Sequence, residues 1–187
     1  MNRFWNEYQK AIADDHFFYE RSCIRQTFFP GSETAFLRML REELNKDIFD
    51  DFRQHTCTGI GYHTDVVPLE TTMTVVARLF SLMTEHGYEN YVPSCVTSFG
   101  VFTEMVHMWQ EHPELLEKTR ENLYKACKRE FNIPKNIAHP SDVIYHFRNE
   151  LAEKMKYRLV NRFTGRPLKV VEHIGCHYAK IFPDKGI

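Results

Sequence analysis

Five thiols are the residues in this chain with the most chemistry to offer: Cys23, Cys57, Cys95, Cys127 and Cys176. Cys23 and Cys57 are separated by 33 residues, and Cys57 and Cys95 by 37. An odd count of widely spaced cysteines argues against a disulfide framework and leaves metal ligation or buried free thiols. Soft thiolates are the preferred ligands of iron–sulfur clusters. Gly59 and Gly61, beside Cys57 in Cys57-Thr58-Gly59-Ile60-Gly61-Tyr62-His63, would let the backbone approach a bulky inorganic core. Zinc is less well served, because the chain holds no Cys-x-x-Cys pair.

Burial is the competing reading for every free thiol, since cysteine is among the most buried residue types. It suits Cys127, which falls on an apolar stripe with Leu116, Leu123 and Phe131. It explains less about Cys23, Cys57, Cys95 and Cys176, which stand in loops after strands or beside glycine. His63, His173 and His177 flank these loops and could hydrogen-bond a cluster sulfide or carry a proton. No Ser/His/Asp constellation and no glycine-rich phosphate loop opening a helix is present.

The elements that must position the thiols follow from the apolar periods. His16 to Ser22 reads as an aromatic strand ending at Cys23, with Phe17, Phe18 and Tyr19 as core. Cys23 to Gly31 reads as a loop. Ser32 then caps a helix carrying Phe36, Leu37, Leu40 and Leu44 on one face. Residues 46–56 are polar and lead to the Cys57 loop. From Leu69 to His86, Met73, Val76, Leu79, Phe80 and Met83 repeat with a helical period, and Gly87 suits a left-handed cap. Tyr91-Val92 is a brief strand, and Pro93 to Ser98 a turn holding Cys95.

Phe102, Met105, Val106 and Trp109 mark a third helix, Pro113 opens a fourth, and Asn132 to Pro140 is a linker. Ser141 caps a fifth helix, and Leu168 to Ile174 is a β-rich run ending at Gly175-Cys176. Strands alternating with helices predict an α/β layered fold. Loops at strand ends are where such folds place ligands.

One internal echo bears on domain organisation. Cys23 and Cys176 each follow a strand, and in both cases Phe-Pro stands six and seven residues later: Phe29-Pro30 and Phe182-Pro183. This predicts a first unit over residues 16–167 and the opening strand and loop of a second, truncated copy over 168–187.

The totals set outer limits. In 187 residues, 43% are hydrophobic and 26% charged, with a net charge of -1, which describes an ordinary globular chain able to bury a core. The even balance of charge gives no footprint for nucleic acid. No apolar run reaches the ~20 residues of a membrane span, and the first residues carry no secretory signal. A cytoplasmic location, where thiols stay reduced, is expected.

The cysteine spacing and its flanking residues resemble the cysteine-rich "CCG" domain of the heterodisulfide reductase B-subunit family. That motif runs Cys, thirty-odd residues, Cys-Cys-Gly, thirty-odd residues, Cys-x-x-Cys, and occurs twice. Ser22-Cys23 with Pro30-Gly31 resembles its first element, Cys57-Thr58-Gly59 its second, and Cys95-Val96-Thr97-Ser98 its third. Gly175-Cys176-His177-Tyr178 resembles the opening of the second copy. The B subunits of the heterodisulfide reductase-like complexes of sulfur oxidisers look most similar. Thr58 and Ser98 stand where the family has cysteines, so three of the five thiols of one copy remain.

The resemblance implies an α/β fold with a small parallel sheet flanked by helices. It implies an iron–sulfur cofactor, [4Fe–4S] or a variant, with Cys23, Cys57, Cys95 and Cys176 as iron ligands. The implied work is electron transfer coupled to thiol–disulfide chemistry, an oxidoreductase role in sulfur metabolism. Implied partners are an A-type flavin subunit, a C-type ferredoxin-like subunit and a lipoate-bearing carrier protein. The alternative is a non-catalytic scaffold domain with a degenerate cluster site.

Overall fold

The structure, a computed structural model, describes residues 16–54, 56–155 and 160–169. A four-stranded parallel sheet lies at its centre, in the order β2-β1-β3-β4. Its strands are β1 (His16–Glu20), β2 (Asp47–Phe49), β3 (Asn90–Pro93) and β4 (Asn136–Ile137). The register sets Phe17 beside Ile48, Phe18 beside Tyr91, and Glu20 beside Pro93.

Alternation along the strands divides the core into two layers. Phe18 and Tyr91 point to one face, against α4 (Leu69–Glu85), α5 (Val96–Glu111) and α6 (Pro113–Cys127). There Phe80 meets Tyr91, Phe102 and Trp109 edge-on, at centroid separations of 5.1, 5.6 and 6.2 Å. Phe17, Tyr19 and Val92 point to the other face, against Phe36, Leu37, Leu40 and Leu44 of the segment that begins with α2 (Pro30–Arg38), and against Val143 of α7 (Pro140–His146). The expected small parallel sheet flanked by helices is present, and the aromatic run of β1 is core.

Several local expectations need correction. The stretch after Cys23 is a helix, α1 (Cys23–Phe28), because the Ser22 hydroxyl accepts a hydrogen bond from the Arg25 N–H at 3.3 Å and caps it. Pro30, with its fixed φ, takes the first position of α2, so Ser32 lies inside the first turn and donates to the Phe29 carbonyl at 2.8 Å. After Arg38 the helix widens into a π-helical turn over Met39–Glu43.

The polar run before Cys57 contains edge strand β2 and a 3-10 turn at Phe52–Gln54, and the linker before Pro140 contains edge strand β4. A short helix, α3 (Gly59–His63), follows Cys57. His139, not Ser141, caps α7, and α8 (Arg148–Lys154) completes the described helices. The helix from Leu69 ends as expected, with Gly87 at φ 76°.

Cys127 is exposed rather than core. Helix α6 stops there, and Lys128 turns left-handed at φ 56°. The chain then reverses and seats Phe131 in the core, while the Cys127 thiol donates to the Leu123 carbonyl at 3.4 Å. Apart from Leu168 and Lys169, the second-copy expectation over 168–187, with His173, Cys176 and His177, falls on residues outside those described. Among the described residues no helix is long and apolar enough to cross a membrane.

Candidate functional site

The strand order fixes where a ligand belongs. The chain moves from β1 outward to β2, then returns to the other side of β1 for β3. The crevice beyond the carboxyl ends of β1 and β3 is therefore the topological switch point of the sheet, the usual binding place in parallel α/β folds. Cys23 follows β1 and Cys95 follows β3. Cys57 arrives at the same end from the loop after the 3-10 turn.

Cys23, Cys57 and Cys95 line one cleft there, together with Glu20, Arg21, Ser22, Ser98 and the apolar pair Ile24 and Ile60. Its cavity volume is about 50 Å³, several times the ~10–15 Å³ that one water requires.

Polar contacts within the protein hold the three loops in place. Glu33 is the clamp between the first and third. Its buried carboxylate accepts from the Ser22 N–H at 2.7 Å and from the Ser94 hydroxyl at 2.9 Å. The Ser94 N–H in turn donates to the Glu20 carbonyl at 3.1 Å. Gln54 ties the second loop to β1 by donating its amide to the Tyr19 carbonyl at 2.7 Å. Arg21 leaves the cleft wall to pair with Asp50 after β2, its Nε donating at 2.7 Å.

Two hydroxyls occupy the positions where the resembling motif has cysteines. Thr58 donates to Ser98 at 3.1 Å, and both are buried, at 4% and 7% exposure. Gly59 lines the cleft, as an approach of its backbone to a bound core would require, and the two glycines also serve packing. A Cβ at Gly59 would land on the Thr97 methyl, and one at Gly61 on Val67, so both glycines allow α3 to pack against protein. His63 closes α3 and is not among the residues lining the cleft.

Two acidic groups of the cleft, Cys23 and Glu20, are held toward their neutral forms. Partial desolvation pushes the Cys23 thiol up from its ordinary value; Cys57, within hydrogen-bonding reach of it, and Cys95 push the same way, against the Ile24 N–H. Glu20 is 1% exposed, and its Oε2 has no hydrogen-bond partner. Burial raises its carboxyl well above the usual carboxylate range, with Cys95, Cys57 and Glu33 adding to the effect. Among the described residues, no three His, Cys, Asp or Glu side chains are gathered as the ligands of a single metal ion.

Sequence reasoning gave no role to Glu20, Glu33 or Ser94. The available signal was an acidic residue ending an aromatic central strand, where alternation sends it to the same face as Phe18.

The fold and site define a parallel α/β domain with a three-thiol cleft at its switch point. Over 173 residues, 92% of its length, the chain is 28% identical to the B subunit of the ferredoxin:CoB-CoM heterodisulfide reductase of Methanosarcina acetivorans. The match covers 55% of that protein, so the chain spans about half the length of this curated relative. No family model matches the chain.

Proposed function

We propose that this chain is the thiol-bearing redox part of a subunit of heterodisulfide reductase B type. In this reading it carries electrons to or from thiol–disulfide chemistry within a cytoplasmic multisubunit complex. The observation that carries the reading is the convergence of Cys23, Cys57 and Cys95 on one cleft at the switch point of the sheet. The similarity to a reductase subunit along 92% of the chain supports it.

The donor set suits an iron–sulfur cluster held by these three thiols, since each iron of such a core takes its own protein ligand and the ligands need not meet at a point. Cys176 belongs in this reading to a second copy of the unit, which the repeated Phe-Pro spacing supports. When bound, such a cluster supplies reversible one-electron storage beside a sulfur substrate. The chain's own residues set the rest: Glu33 and Gln54 fix the loops, and Ile24 and Ile60 give the cleft an apolar rim. A flavin-bearing and a ferredoxin-like subunit are the partners, with a lipoate-bearing carrier as sulfur donor in sulfur oxidation.

A second reading, a docking domain without a cluster, draws on the Thr58–Ser98 pair, which satisfies two would-be ligand positions internally. An anaerobic, dye-mediated redox titration of the chain reconstituted with iron and sulfide separates the two. A reversible one-electron step that is lost in Cys57→Ala supports the redox role. A folded, reconstituted chain with no redox step would overturn it.

A further inference from the structure

Among the described residues of the cleft, Glu20 is a buried acid with one carboxyl oxygen left without a hydrogen-bond partner. Its residue is 1% exposed and its Oε2 has no hydrogen-bond partner, although the buried carboxylate of Glu33 nearby receives two. An unpartnered carboxyl in such a place carries a desolvation cost that a fold retains only when something else answers it. Cys95 and Cys57 are close enough to act on it, and Cys23 lines the same cleft.

We propose that the Glu20 carboxylate is the fourth protein ligand of the metal cluster that Cys23, Cys57 and Cys95 hold. This rests on the redox reading above and assigns it a ligand that the cysteine pattern does not contain.

Three observations converge on Glu20. A cubane cluster takes four protein ligands, and the described part of the cleft offers three thiols. The two hydroxyls at the missing cysteine positions are bonded to each other, and a hydroxyl is a poorer iron ligand than a carboxylate, being far harder to deprotonate. Glu20 reaches the same cleft from the end of β1, the strand that also leads into Cys23, and oxygen from a carboxylate is an established iron donor. Coordination would form one Fe–O bond and release the carboxyl proton to solvent, with no change in oxidation state. The positive iron core reverses the local preference for the neutral acid.

The test is anaerobic reconstitution of the full chain with ferrous iron and sulfide, comparing wild type, Glu20→Gln and Glu20→Cys. Iron content and the EPR spectrum of the oxidised protein are the readouts. Wild type should hold about four irons per chain. Glu20→Gln should hold about a quarter less and show the signal of an oxidised three-iron centre, while Glu20→Cys should regain the fourth iron. Apo Glu20→Gln should unfold in urea no earlier than wild type, because the amide removes an unpartnered buried acid; this shows that a loss of iron is not a loss of fold. Equal iron and an unchanged spectrum in Glu20→Gln would overturn the assignment of Glu20 and leave the three-thiol reading standing. A folded wild type that takes up no iron would overturn both.

Discussion

The Thr58 hydroxyl donates to the Ser98 hydroxyl at 3.1 Å, across 40 residues of chain, in a place almost without solvent. The bond joins the Cys57 loop to the first turn of α5, beside the thiol cleft that Ser98 helps to line. A buried hydroxyl deprived of its partner costs about 1–3 kcal/mol. Thr58→Val keeps the shape and strands Ser98, so it should lower stability by roughly that amount. Ser98→Ala added to Thr58→Val should cost less than the sum of the two single changes. A double-mutant cycle by urea denaturation measures this coupling.

Close packing at Gly59 is the second restraint on that loop. Because a Cβ there would meet the Thr97 side chain, Gly59→Ala must push α3 away from α5. Overpacking of this kind costs about 1–3 kcal/mol. The urea midpoint should fall, and thiol-labelling of Cys57 should accelerate as its loop loosens. An unchanged labelling rate would show that Gly59 does not set the position of Cys57.

Asp51 gives the fold an acid-sensitive joint between the segment after β2 and the end of α4. Its buried carboxylate accepts from the Arg53 N–H at 2.8 Å and pairs with the Arg53 guanidinium and with His86 Nε2 at 2.9 Å. The Arg53 side chain, against the opposing effect of burial, holds the carboxyl far below its ordinary value of 3.8. A folded-state value below the unfolded one means that the stabilisation is complete above the ordinary value. It is lost as pH falls below 3.8 toward the folded value. Wild type should therefore lose stability on acidification through that range. Asp51→Asn should be less stable at neutral pH and should show a shallower decline. Parallel pH dependences in the two proteins would remove Asp51 from the account.

Much of the fold was legible because apolar spacing and burial agree. The period from Met73 to Met83 gave α4, Gly87 marked its end, and Phe17-Phe18-Tyr19 gave the central strand. The edge strands β2 and β4 were not legible. They have three and two residues, and each is paired on one side only, so neither needs a long apolar run. Helix α1 looked like a loop because none of its residues is buried and its start depends on the Ser22 cap. Cys127 was misplaced because the stripe was extended through a left-handed turn at Lys128. Within the site, the sequence singles out Cys23, Cys57 and Cys95 by residue type, and the fold brings the three to one cleft, with Cys23 opening a helix rather than a loop. Glu20 offered one sign, its place at the end of an aromatic strand, and Glu33 offered none, standing between exposed polar residues in the first turn of α2.

The central claim, a cluster held by the cleft thiols, is tested most directly by iron and acid-labile sulfide per chain after anaerobic reconstitution. The comparison is wild type against Cys95→Ser and Cys127→Ser. Cys95 lines the cleft, whereas Cys127 is exposed at the end of α6 and bonded to Leu123. The account predicts matching iron and sulfide in wild type and Cys127→Ser, and a loss of most of both in Cys95→Ser. Equal content in all three proteins, or none in folded wild type, would contradict it.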